Sequence, residues 1–587
     1  KSIYDTSFAF GGPIKRDKLW FWTAHRYWGY EIYRTGVFYE KNPFDFVYEA
    51  DPARPGTDSQ PNTSNDLRLT WQMSPRNKLS GYYNYAPRET NHWIVSNTRQ
   101  PEASNLQKVN LNHFETLTYK STISSKMLLD TGFGQTVETW TREPVEDAPT
   151  SLDFPVTEQL TGVNLRAYSG TFSENYTAVR SYRAALSYVP GSHAFKFGFN
   201  LVEGPARTNV WTSKDTAITV RNGQPLQVTV RTTPYTARER LVADLGVYAQ
   251  DTWTLRRFTV NAGIRWDYLN NTVEAQDAPG GTWIGPRHFD KIQNVPNWKD
   301  FDPRLGIAYD LFGDGKTAVK ASLSRYVQTS TVGFARLLNP FNTTVNTGTR
   351  SWTDVDTSGR VLPTNGDGIP QVNEMGPLGT TFGTQIVSTT YDPGVIEGWG
   401  KRRSNWEFST SVSRELMSRV SAEVGYFRRS QGQYTTPDNR DLTPNDYDEF
   451  CVTAPTDSRL PDGGGYRVCG LFDVKPTKFA AQNADDLRVD FVDKIGGKQT
   501  QTFNGIDFIL NARPNSSLTL NGGFSSGVES VNECDSFVDN RSGATSTAAP
   551  YGDTTLTSLA FCDRTGAWLT SVKASGAYTL PWQEIQF

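Results

Sequence analysis

Residues 241–268 read LVADLGVYAQDTWTLRRFTVNAGIRWDY. Leu241, Ala243, Leu245, Val247, Ala249, Trp253 and Leu255 share one parity, and Asp244, Gly246, Tyr248, Gln250, Thr252 and Thr254 share the other. Arg256-Arg257 turns the chain. On the return, Phe258, Val260, Ala262, Ile264, Trp266 and Tyr268 alternate with Thr259, Asn261, Gly263, Arg265 and Asp267. A helix would set its apolar residues three and four apart; these stand two apart, so each run is a strand with one apolar and one polar face. Each alternation lasts about 15 residues, against ~5–6 for a strand of a soluble sheet and the ~9–11 that cross a bilayer. Asp251 breaks the apolar parity, but it sits near the turn, where a charge facing lipid costs ~0–1 rather than ~2–4 kcal/mol.

The pattern recurs along the chain. Leu67, Leu69, Trp71 and Met73 turn at Pro75-Arg76-Asn77-Lys78 into Leu79, Gly81, Tyr83 and Tyr85. Further hairpins are predicted at Pro190-Gly191-Ser192, Gly313-Asp314-Gly315, Met417, Pro514-Asn515 and Pro581-Trp582, with weaker ones at Lys15-Arg16-Asp17 and Ser124-Ser125. That makes nine hairpins, or about eighteen strands of the up-and-down kind. Long polar segments near 35–64, 89–106, 143–174, 205–238, 273–300, 331–402, 433–499 and 529–563 join them. Short turns and long loops alternate, so the turns collect at one rim and the loops at the other, as in outer-membrane barrels. The expected fold is all-β: a transmembrane antiparallel up-and-down β-barrel over residues 1–587, incomplete at both ends because the first strand descends and the last has only begun to rise. The alternative is a soluble propeller or sandwich, which does not call for one-sided loops.

Composition agrees. Of 587 residues, 37% are hydrophobic and 13% aromatic, with 26 Tyr, 32 Phe and 16 Trp. No apolar run is long enough for a membrane helix. The net charge of -3 argues against nucleic acid as a partner.

The segment Phe8-Ala9-Phe10-Gly11-Gly12-Pro13-Ile14-Lys15-Arg16-Asp17-Lys18-Leu19-Trp20-Phe21-Trp22 resembles a hairpin of TonB-dependent outer-membrane receptors, in the Oar-like branch that carries a carboxypeptidase-regulatory-like domain. Tyr248-Ala249-Gln250-Asp251-Thr252-Trp253 with Asn261 to Tyr268, Phe301-Asp302-Pro303-Arg304-Leu305-Gly306, and Asp457 to Tyr466 are similar to that group in the same order. The resemblance implies a 22-stranded barrel around a plug, driven by the TonB complex, with this chain supplying roughly strands 2 to 19. The plug, the TonB-contacting box and the regulatory-like domain would precede Lys1, and the last strands would follow Phe587.

Cys451 with Cys469, and Cys534 with Cys562, fall as two pairs, each within one predicted outer loop; in an oxidising periplasm they are expected as two disulfides. Asp354, Asp356 and Ser358, followed by Gly359, have the alternating oxygens of a calcium loop, but position twelve is Asn365 rather than a bidentate Glu. A solvated turn is the plainer reading, and no cofactor is expected beyond that possible Ca2+. Trp20, Phe21, Trp22, Tyr27, Trp28 and Tyr30 read as an interfacial girdle, with sugar stacking as the alternative. Asp244, Arg265, Asp267, Arg304 and Asp310 lie on the lumen parity. His25, His92, His113, His193 and His288 are scattered, and no catalytic motif is present, so an enzyme is not expected. The expected function is a receptor or transporter in the cell outer membrane of a Gram-negative-type bacterium, contacting outer-membrane lipid and an extracellular ligand. A porin-like diffusion channel or a surface adhesin are the alternatives.

Overall fold

The computed structural model describes residues 2–148, 150, 153–387, 389–479, 487–494, 497–534 and 562–580. Hydrogen-bonding groups cannot stay unpaired in hydrocarbon, so alternating sequences of this length are stable there only side by side. One antiparallel wall results, its strands paired in chain order: β1 (Ser2–Lys15), β2 (Leu19–Glu40), β3 (Ala50–Ser74), β4 (Asn77–Tyr85), β5 (Asn105–Ser124), β6 (Met127–Glu143), β7 (Phe172–Tyr188), β8 (His193–Trp211) and β9 (Tyr235–Leu255). It continues through β10 (Phe258–Val273), β11 (Asn297–Asp310), β12 (Thr317–Val327), β13 (Ser404–Met417), β14 (Val420–Gly432), β15 (Thr500–Ala512), β16 (Leu518–Asn532) and β17 (Leu569–Tyr578). Among the described residues β1 pairs only with β2, and β17 only with β16, whose far end also pairs with Asp563–Thr565. The predicted hairpin at Pro581-Trp582, and with it an eighteenth strand, lies outside the described residues.

Every tight turn lies at one rim and every long connection at the other. The outward face is apolar: Leu67, Leu69, Trp71, Leu117, Val247, Ile264, Leu305 and Val412 are each more than 40% exposed. Near the turn rim the outward Asp251 accepts a hydrogen bond from His193 Nδ1 (2.6 Å), and His193 stacks on Phe195 and Trp253. The charge is thereby paired at the level where an aromatic girdle belongs.

Three expectations need correction. The segments near 35–64 and 205–238 are largely strand, because β2, β3, β8 and β9 run 22, 25, 19 and 21 residues. Beyond the bilayer both faces are wetted or covered by protein, so polarity no longer alternates although the backbone ladder continues. Second, a bulge between Leu241 and Ala243 shifts the register. Leu241 therefore turns inward and is 7% exposed, while Val242 takes the outward place at 41%. Third, the aromatic run is divided by strand period. Phe21 pairs with Leu69 on the outward face, whereas Trp20 and Trp22 pair with Thr70 and Arg68 on the lumen face, with Trp28 and Tyr30 on the same side. Of that run only Phe21 and Tyr27 stand on the outward parity a girdle needs.

Candidate functional site at the loop rim

The loops are folded, and they fold together. Thr216–Arg221 and Gln224–Arg231 form a hairpin whose turn residues Asn222 and Gly223 have φ of 51° and 71°, the left-handed pair a tight hairpin needs. Thr347–Ser351 from the 328–403 connection joins one edge, and Val156–Glu158 with Asn164–Leu165 joins the other. This five-stranded cap sheet therefore belongs to three loops. Its apolar face buries Val156, Leu165, Ile218, Val220, Val228, Val230, Trp352 and Met375. The tip of the β2–β3 hairpin adds Phe46, edge-on to Trp352 at 6.1 Å, and Arg166 spans to it with Nη2 donating to the Phe44 carbonyl (2.6 Å). Trp352 Nε1 donates to Glu374 (3.2 Å), which satisfies the one polar atom of the buried indole.

From this cap the 328–403 connection descends against the inner face of the wall. A short helix, Gly333–Leu337, sets Phe334 and Ala335 against Leu241, Leu269, Val273 and Trp298. Asn339, fully buried, donates to Glu239 Oε1 (2.7 Å) and accepts from Gln276 Nε2 (2.8 Å). Phe341 stacks on Tyr235 at 4.8 Å.

Beside the helix lies a charged cluster whose Asp244, Arg265, Asp267, Asp300 and Asp302 stand on the lumen parity, while Arg325 comes from the parity of Leu323. Arg325 donates to Asp300 (3.0 Å) and Asp302 (2.7 Å), and Arg265 Nε reaches both oxygens of Asp267 (2.8 and 2.9 Å). Arg402, 1% exposed, stands 3.6 Å from Asp300 and 3.9 Å from Asp244. Gly246 makes room for this packing, since a Cβ there would run into the Arg265 guanidinium. Of the lumen residues singled out in the sequence, Asp244, Arg265 and Asp267 come together here. Arg304 instead lies over the Tyr326 ring (4.8 Å), and Asp310 sits at the turn rim, accepting from the amides of Gly313 and Gly315. Asp300, Asp302, Arg325 and Arg402 were not singled out. The first two share the parity of Arg304, a signal that was present; Arg402 belongs to a loop, where parity is silent.

The remaining candidates fall elsewhere. Cys451 and Cys469 have their Sγ atoms 2.07 Å apart, and Cys534 and Cys562 2.01 Å, each pair inside one loop. Asp354, Asp356 and Ser358 share a turn, but protein donors occupy the carboxylates. Asp356 accepts from Ser358, Asn373 and the Arg360 guanidinium, which hold it well below the usual carboxylate range, while Asp354 accepts from the Gly368 amide. Among the described residues no group of three or more His, Cys, Asp or Glu side chains is arranged to hold a metal. His92 lies between Tyr39 and Asp147, and His288 is exposed between Asp277 and Asp290, which raise its pKa.

Solved structures of other outer-membrane proteins resemble the chain, among them the following three. The outer membrane transporter YddB of Escherichia coli aligns with a TM-score of 0.52 and 10% identity, over 90% of this chain and 54% of its own. The alcaligin receptor FauA of Bordetella pertussis gives 0.45 and 10%, over 99% and 64%. The ferripyoverdine receptor of Pseudomonas aeruginosa gives 0.47 and 10%, over 99% and 58%. The chain thus spans between half and two thirds of the length of these proteins, and the likeness is one of fold. No curated protein matches it in sequence. The model of the outer membrane beta barrel domain matches residues 48–584, which is the wall from β3 onward with its loops. The chain belongs to the outer-membrane β-barrel domain family.

Proposed function

We propose that this chain is the barrel of a TonB-dependent receptor of the outer membrane, which captures a ligand on its loop cap and passes it through the lumen when a plug is displaced. The observation that carries this reading is the cap itself. Loops that fold around a common apolar core present a preorganised surface, which binds without the cost of ordering free segments. The descent of residues 333–341 onto the inner wall places that surface over the lumen, with the Asp and Arg side chains beneath it. The plug, the TonB contact and membership of the Oar-like branch belong to this proposal.

Two measurements on the full-length protein test it without knowledge of the ligand. In planar bilayers it is expected to show no steady conductance, and in cells it is expected to cross-link to TonB. A persistently open channel without a TonB cross-link would replace the proposal by a porin. A closed barrel that never contacts TonB yet binds host surfaces through its loops would replace it by an adhesin.

A further inference from the structure

The outward face of β7, β8 and β9 changes character at the loop end of the apolar belt. Tyr182, Leu201 and Leu245 are cross-strand neighbours within the belt. Just beyond them a shift between Val202 and Gly204 on β8 meets the bulge at Leu241 on β9. Gly204 is required there, since a Cβ would collide with the Ala178 carbonyl. After this irregularity Arg207 and Arg238 stand directly opposite each other, both outward and exposed, and Arg240 stands two residues nearer the belt. Arg180 on β7 completes the group. Two carboxylates answer these four guanidinium groups. Glu203 takes Arg180 and Arg240 (3.0 Å each), and Glu174 takes Arg207 (3.0 Å). Arg238 makes no ion pair among the described residues. The nearby Glu274 is engaged by Lys291 (3.2 Å) and Thr272. Like charges placed directly opposite on a sheet repel, so the pair calls for an anion.

Below the arginines the wall is hollowed. Ala184 and Ala249 leave a shallow groove of about 750 Å³ flanked by Phe197, Phe199, Ile264 and Trp266. Along β9 the outward Val242, 41% exposed, lies between the groove's Leu245 and Arg240. The groove is continuous with the face that meets acyl chains, so its occupant comes from the membrane.

We propose that this face binds a phosphorylated lipid of the outer leaflet, its phosphate held by Arg207, Arg238 and Arg240 and one acyl chain lying in the groove. Arginine suits the role because its planar fork meets phosphate oxygens in pairs. The inference rests on the wall alone and is independent of what the barrel transports.

Native mass spectrometry of the purified full-length protein, incubated with diphosphoryl lipid A, tests it. Wild type is expected to keep the lipid, and Arg207→Ala with Arg238→Ala to lose about tenfold or more in affinity, as charge-assisted contacts imply. Arg238→Gln, which breaks no ion pair, is the variant to read if the double variant fails to insert; a clear weakening is expected there too. Dephosphorylated lipid A is expected to bind no better to wild type than to the variants. Equal retention by wild type and Arg238→Gln, equal binding of the dephosphorylated lipid, or displacement of lipid A by inorganic pyrophosphate at its own concentration would overturn the proposal.

Discussion

Glu40 and Glu102 meet where the tip of the β2–β3 hairpin packs on the 86–104 loop, and they are 3% and 2% exposed. The Glu40 amide donates to Glu102 Oε1 (2.8 Å), while Oε2 of each has no partner among the described residues. Burial pushes both carboxyls up, Glu40 to about 7 from its ordinary 4.5, with Asp45 adding to the shift; Arg54 and His92 act the other way on Glu102. A carboxyl with a raised folded-state pKa keeps its proton longer folded than unfolded. Its contact is therefore strongest below about pH 4.5 and weakens until about pH 7, by roughly 3 kcal/mol at most for such a shift. Proteolysis within residues 41–49 should accelerate between about pH 5 and about pH 8 in wild type and rise less in Glu40→Gln, where Glu102 alone titrates. Parallel pH profiles in the two proteins would remove the role given to Glu40.

Arg325 offers a second residue-scale test. Removing it by Arg325→Ala leaves Asp300 and Asp302 buried without their shared cation, a loss of about 3–5 kcal/mol. The thermal midpoint of the barrel should fall, and Asp300→Asn with Asp302→Asn in the same background should recover part of it. These partners were half legible in sequence. Asp244, Arg265 and Asp267 sit on a parity that must face the lumen, so their side of the wall could be read. Their meeting with Arg402 could not, because the contact joins positions far apart through a loop with no period.

At the scale of elements, the cap is the least expected feature. Trp352 is 1% exposed at its centre, and Trp352→Ala should cost about 3–5 kcal/mol, as large buried truncations do. The cap is a satellite of the wall, so protease should then cut residues 212–234 and 328–403 while the folded wall still migrates as a compact band in unheated gels. Loss of both together would show that the cap and the wall are one cooperative unit. Part of the cap was written in sequence. Ile218 and Val220 alternate, Asn222-Gly223 is a strong hairpin signal, and Val228 and Val230 alternate on the return. The polarity of the whole segment masked that signal, since five short strands from three loops share one small core. The two loop disulfides act on the same scale. Cys451→Ser should speed cleavage near residues 447–474 and leave the wall unchanged.

For the whole molecule, strand length and parity carried most of the information. Among the described residues the eight tight turns fall where the alternation breaks, and the outward face holds the residues that the alternation assigned to it, save where the Leu241 bulge inverts them. A one-residue insertion is invisible to a period-two pattern until pairing is known, because either register buries one apolar side chain. What the wall requires is that its outward side chains meet acyl chains and its inward ones do not. Single cysteines labelled with a fluorophore at Leu245, Tyr248, Val247, Ala249 and Gln250, in protein reconstituted with brominated lipids, read this directly. Leu245, Val247 and Ala249 are expected to be quenched by the lipid, and Tyr248 and Gln250 to be quenched only by a water-soluble agent. Uniform quenching at all five positions, or protection of Val247 from lipid, would contradict the barrel wall and every reading built on it.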